Sequence, residues 1–194
     1  MNQGDVITRT VGGKSDSVTL PPINMNHLLT IRVERGRVSG FHILPTSVVP
    51  VSSAGEITLP AGSIPVVDSA GASIGGAQVR LTPLRVPVSA DDAFEARVDV
   101  VDSTGARIAY DPAKTFYPQA WTKTQIQEAV YSAYVGHYKA GGAPFFVRMR
   151  LTTQKGIKIW MRVAGNQSAA GITLTGITTA YLDQGQNLTS SDAP

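Results

Sequence analysis

The chain has no cysteine, no apolar run approaching the roughly 20 residues of a membrane-spanning helix, and little charge, 16% of its 194 residues. Without thiols, disulfides and thiolate zinc sites are excluded, and any metal would rest on His, Asp or Glu. The opening MNQGDVITRT carries neither the basic stretch nor the apolar core of a secretory signal, so export is expected to depend on another polypeptide. Histidine is scarce, with three in the chain. What is present suits one domain, since 42% hydrophobic content is enough to bury an ordinary core.

The net charge of +3 is unevenly spread. From Arg107 to Arg162 nine basic residues (Arg107, Lys114, Lys123, Lys139, Arg148, Arg150, Lys155, Lys158, Arg162) face two acidic ones, Asp111 and Glu128. Such a stretch attracts phosphate and favours a polyanionic partner, although a solvated lysine-rich surface fits the same residues.

Residues 1–20 are polar and rich in Gly and Ser, and 184–194 lack apolar periodicity, so both ends are expected to be flexible tails. Pro45 to Val88 reads as short strands and loops, with apolar pieces at Glu56 to Leu59, Ser63 to Val67 and Ala77 to Leu81. Phe94 to Val101 alternates as a strand with one wet face. A helix is expected from Lys123 to Lys139, capped by Thr122 with Gln125 and stopped by Gly141-Gly142. A hairpin follows, with Phe145, Val147, Met149 and Leu151 on the face of Ile157, Ile159, Met161 and Val163. Arg148, Arg150, Lys158, Trp160 and Arg162 then share the opposite face. Two more short strands, Ile172 to Thr175 and Ile177 to Leu182, extend an antiparallel sheet, with Thr179 and Tyr181 pointing the same way.

Two of the histidines, His27 and His42, flank the basic stretch Arg32 to Arg37. Two imidazoles can take a proton from one oxygen and give one to another, and Lys114 can steady the negative charge that builds between those steps. Bland readings fit the same residues. His27 suits a helix end, His42 in GFHIL a buried hydrogen-bonded histidine, Lys114 a loop and Tyr181 a strand. His137 suits the C-terminal end of the helix, and Phe116, Tyr117 and Trp121 suit packing.

The segment KTFYPQAWTKTQIQEAVYSAY, beginning at Lys114, resembles the lysine-threonine, aromatic-proline, tryptophan signature of bacterial EndoU nuclease domains, the toxic C-terminal domains of contact-dependent inhibition and other polymorphic toxin systems. NHLL and GRVSGFH resemble that family's two histidine segments, and ITTAYL its closing strand. The resemblance implies His27 and His42 as the general acid–base pair, Lys114 as the cation, and Thr179 and Tyr181 as substrate contacts. It also implies an α+β, RNase A-like, two-lobed EndoU-type fold spanning 21–183, with a histidine lobe (21–106) and a helix-and-antiparallel-sheet lobe (107–183). The long Pro50 to Val88 stretch stands as a β-rich insertion.

The activity so implied is cleavage of single-stranded RNA, tRNA beside uridine being the natural target. The product is a 2′,3′-cyclic phosphate, and no cofactor is required, although some relatives respond to manganese. A toxin delivered into a target-cell cytoplasm and matched by an immunity protein would follow. The alternative is a non-catalytic basic RNA-binding or structural module on the same scaffold. Oligomeric state is open.

Overall fold

Two glycines at positive φ, Gly12 and Gly13, reverse the chain between Val6–Val11 (β1) and Lys14–Thr19 (β2), which pair antiparallel along their whole length. The computed structural model describes residues 1–45, 55–85 and 92–194. A short helix, Met25–Leu29 (α1), precedes a tight hairpin of Ile31–Glu34 (β3) and Arg37–Gly40 (β4), turned by Arg35 and Gly36, both at positive φ. Then come Ile57–Leu59 (β5), Val66–Val67 (β6), Gln78–Arg85 (β7), Phe94–Val101 (β8) and Arg107–Phe116 (β9). Lys123–Lys139 (α2) is followed by Phe146–Thr152 (β10), Lys158–Ser168 (β11) and Gly171–Leu182 (β12).

The protein is α+β, with two α-helices among the described residues. It divides into two compact units: Met25–Ala120 with Asn187–Ser191, and Met1–Asn24 with Trp121–Gln186 and Asp192–Pro194. The first holds a seven-stranded mixed sheet in the order β5-β7-β8-β9-β4-β3-β6, in which β4–β9 and β3–β6 run parallel and the other pairs antiparallel. Its core includes Ile31, Phe41, Leu81, Ala96, Val98, Val100 and Phe116. The strand expected at Phe94 to Val101 is there, but its wet face is only partly wet. Asp99 is buried between the guanidinium groups of Arg97 and Arg107, at 2.6 and 3.3 Å.

The second unit packs α2 on a three-stranded antiparallel sheet, β10-β11-β12, with the β1–β2 hairpin as a separate ribbon. Ile126, Ala129, Val130, Ala133, Tyr134 and Tyr138 give α2 its buried side, and Leu151, Ile159, Met161 and Val163 are the buried residues of β10 and β11. The cap is as expected. Thr122 Oγ1 accepts from Gln125 N–H, and Gln125 Oε1 accepts from Thr122 N–H.

Several expectations need correction. Residues 1–20 are a hairpin rather than a loose tail, because Arg9 ties it to α2. Its guanidinium meets Asp16 at 2.7 Å, donates to the carbonyls of Tyr138 and Gly142, and lies over the Tyr138 ring. Of the expected C-terminal tail, Gln186 bonds the backbone of Lys158 and the Leu188 carbonyl accepts from Ala93 N–H. The boundary expected at 106/107 moves to Ala120/Trp121, because β9 pairs with β8 from Phe94–Phe116 to Val101–Arg107 and stays in that sheet.

The segment read as an insertion supplies β5, β6 and β7, three of the seven strands of the same sheet, while 46–54 and 86–88 lie outside the described residues. Val147 is 77% exposed, not inward, because a bulge between Phe146 and Met149 shifts the register. The two short strands expected at the end are one, β12, bulged at the positions where the alternation breaks.

Candidate active site

The geometry of the histidine pair begins with a glycine. Gly40 ends β4 at φ 73°, and a Cβ there would stand 2.4 Å from the carbonyl oxygens of His27 and of Thr30. Only glycine lets β4 run this close to α1. The next residue, Phe41, also has positive φ, 61°, a conformation that costs about 1–3 kcal/mol for a non-glycine residue unless its surroundings hold it. Here they do. The Phe41 ring is fully buried edge-on to Phe116 at 5.2 Å, and Phe116 stacks on Phe94 at 4.6 Å.

The kinked backbone then bonds α1 three times, Phe41 N–H donating to the His27 carbonyl at 2.9 Å, and His42 N–H and Ile43 N–H both to the Leu28 carbonyl, at 2.7 and 3.1 Å. The result brings the two imidazoles together, ring centroids 6.1 Å apart and planes tilted by 41°.

β9 supplies the rest. His42 Nδ1 lies 2.9 Å from the Thr115 carbonyl, and Tyr117 N–H donates to the His42 carbonyl at 2.9 Å. Because a carbonyl can only accept, this contact places the proton on Nδ1 and makes Nε2 the accepting nitrogen of the ring.

Lys114 is buried, and its Nζ meets Asp111 Oδ2 at 3.0 Å. Residues three apart on a regular strand point to opposite faces. Here β8 advances from Ala96 to Val98 while β9 passes from Lys114 to Asp111, so a bulge carrying Pro112 places both side chains together.

Burial and charge set the protonation of this group. His42 is pushed well below the ordinary histidine value by burial and then by the positive charge of Lys114, against the opposing Thr115 bond. His27, half-buried, is lowered by burial and then by Lys114 and Arg32. Burial lowers Lys114 as well, and Asp111 works against that shift. The arrangement therefore holds a neutral, tautomer-fixed imidazole beside a second one that is less depressed, with a buried cation near both. It can take a proton, give a proton and stabilise an anion.

His27, His42 and Lys114, predicted from the sequence, are thus gathered in one unit. Thr179 and Tyr181 belong to the other unit, on β12, where they pair across with Arg162 and Trp160. His137 packs edge-on to Phe146 with Nε2 3.1 Å from the Ala143 carbonyl, at the end of α2. Sequence reasoning did not single out Asp111 or the Thr115 carbonyl. The Asp-Pro dipeptide ahead of Lys114 is the signal that could have drawn attention to an irregular strand there. Among the described residues, no three His, Asp or Glu side chains gather where they could hold a metal. Nor is any helix of the described residues long and apolar enough to cross a membrane. No known protein family, curated protein or solved structure matches the chain.

Proposed function

We propose that the protein is an endoribonuclease that cleaves single-stranded RNA by transesterification, with His42 as general base and His27 as general acid. The observation that carries this reading is the pair of facing imidazoles beside the buried Lys114. His42, the more depressed and fixed with Nε2 accepting, removes the ribose 2′-OH proton. The 2′-oxygen attacks phosphorus, the P–O5′ bond breaks, and His27 delivers its proton to the departing 5′-oxygen. The products are a 2′,3′-cyclic phosphate and a 5′-hydroxyl. Lys114 stabilises the extra negative charge of the phosphorane.

The bound phosphodiester opposes the Lys114 and Arg32 charges at His27, which favours the protonated acid in the complex. Similarity of the Lys114 to Tyr134 segment to EndoU toxin domains supports an RNase A-like fold kinship, tRNA as target, delivery by a larger polypeptide and neutralisation by an immunity protein. Thr179 and Tyr181 keep the substrate-contact role that the same similarity gives them.

The test is cleavage of tRNA in EDTA, with and without added manganese, by the wild type, His42→Asn and Lys114→Met. An asparagine amide can replace the Nδ1–H donor to Thr115 but cannot act as a base. His42→Asn should lose about 10²–10⁴-fold in rate while remaining folded, and Lys114→Met should also be slowed. No cleavage by the wild type, or undiminished cleavage by both variants, overturns the assignment.

A further inference from the structure

The three-stranded sheet of the second unit has one side turned toward α2 and another whose composition is unlike an ordinary solvated face. On β11, Ile159, Met161 and Val163 are buried, so the alternate residues Lys158, Trp160 and Arg162 project from the other side. The register aligns Arg150 with Trp160 on one flank, and Tyr181 with Trp160 and Thr179 with Arg162 on the other. The bulge in β10 adds Arg148, whose guanidinium carbon lies 4.5 Å from the Trp160 ring centroid.

Trp160 is held in place from its edge. Its Nε1–H donates to Asp183 Oδ1 at 2.8 Å, and Arg150 reaches Asp183 Oδ2 at 3.0 Å. Asp183 therefore serves this face as a brace for the indole and for one arginine. Lys158, Arg148 and Arg162 are exposed around it.

We propose that this face is a binding platform for single-stranded RNA, with a base stacked on the Trp160–Arg148 pair and phosphates held by Lys158 and Arg162. Single strands are recognised by aromatic and guanidinium planes spaced among cations, because every base has a π-face and every linkage a negative charge. An ordinary solvated strand face has no need of a braced tryptophan under an arginine, whereas a polyanion carrying planar bases complements both features. The platform extends the RNA reading above to residues that take no part in the chemistry. A ligand that cannot be cleaved separates the two.

The experiment titrates the full chain with a 2′-O-methyl oligouridylate, following tryptophan fluorescence and repeating over a range of salt. Trp121 is buried, so quenching reports mainly on Trp160. Trp160→Ala should weaken binding roughly ten- to hundredfold, and Trp160→Phe, followed by anisotropy of a labelled oligonucleotide, should retain most of it. Lys158→Ala with Arg162→Ala should flatten the dependence of log Kd on log salt by about 0.7 for each phosphate no longer neutralised. Those two residues are exposed, so the pair tests the platform even if Trp160→Ala does not fold. Lys139→Ala, which removes an exposed charge from the end of α2, should leave affinity unchanged.

No binding by the wild type at low salt overturns the proposal, as does an equal loss in Lys139→Ala, or indifference to the Lys158/Arg162 pair. Retained binding by the wild type with no cleavage of ordinary RNA would overturn the enzyme reading and leave the platform standing.

Discussion

His42 carries most of the proposed chemistry, and its protonation makes that chemistry testable. Both imidazoles are depressed below the ordinary value near 6.5, His42 further than His27. The kcat/KM profile follows the free enzyme, so its acid limb reports the base and its basic limb the acid. The optimum should therefore lie below about pH 6.5. Lys114→Met removes a charge that lowers both groups and should move the profile to higher pH while reducing its height. An optimum above neutrality in the wild type, or no displacement in the variant, contradicts the assignment of roles.

The same burial has a consequence for stability. Below about pH 6.5 the unfolded chain protonates His42 while the folded one does not, so the unfolded state binds more protons. Stability contributed by this residue is thus present above that pH and is lost as pH falls, by at most about 1.4 kcal/mol per unit, until folded His42 itself protonates. Denaturant titrations between pH 7 and 5 should show the decline, and His42→Asn should be flatter.

At the scale of elements, the decisive device is the junction of β4 with α1. Gly40→Ala forces a Cβ into two backbone carbonyls and a φ it disfavours, neither of which a side-chain rotamer can relieve. The variant should lose about 3 kcal/mol or more of stability, and cleavage should fall with it, because the imidazole spacing is built on that close approach. A Gly40→Ala protein with wild-type Tm and activity would show that the approach is dispensable.

The period of α2, its capping box and the alternation of β8 and β11 were legible, because each is written in adjacent residues. Val147 departs from the simple alternation, and β12 reads in sequence as two strands, for one reason. A bulge adds a residue to one strand opposite its partner, and the partner is distant in sequence. The bulge that brings Asp111 to Lys114 was invisible for that reason as well.

For the whole molecule, the α+β class and the nearness of His27, His42 and Lys114 were within reach of the sequence, the latter only through motif order. The place of the boundary between the units was not. β9 reads as the start of a basic region, yet its hydrogen bonds to β8 and its parallel pairing with β4 keep it with the histidines. Residues 1–20 read as a tail since their polarity gives no hint that Arg9 will sit on Tyr138 and the end of α2. Pairings between remote segments decided both outcomes, and composition does not encode them.

Everything proposed for the facing imidazoles depends on attack by a ribose 2′-oxygen. The chemistry of the cut ends reports that step, measured on a single-stranded RNA and on the same sequence with 2′-deoxy sugars. Attack by the 2′-oxygen predicts 2′,3′-cyclic phosphate and 5′-hydroxyl ends from the first and no cleavage of the second. Cleavage of the deoxy strand, or 5′-phosphate ends from the RNA, would contradict it.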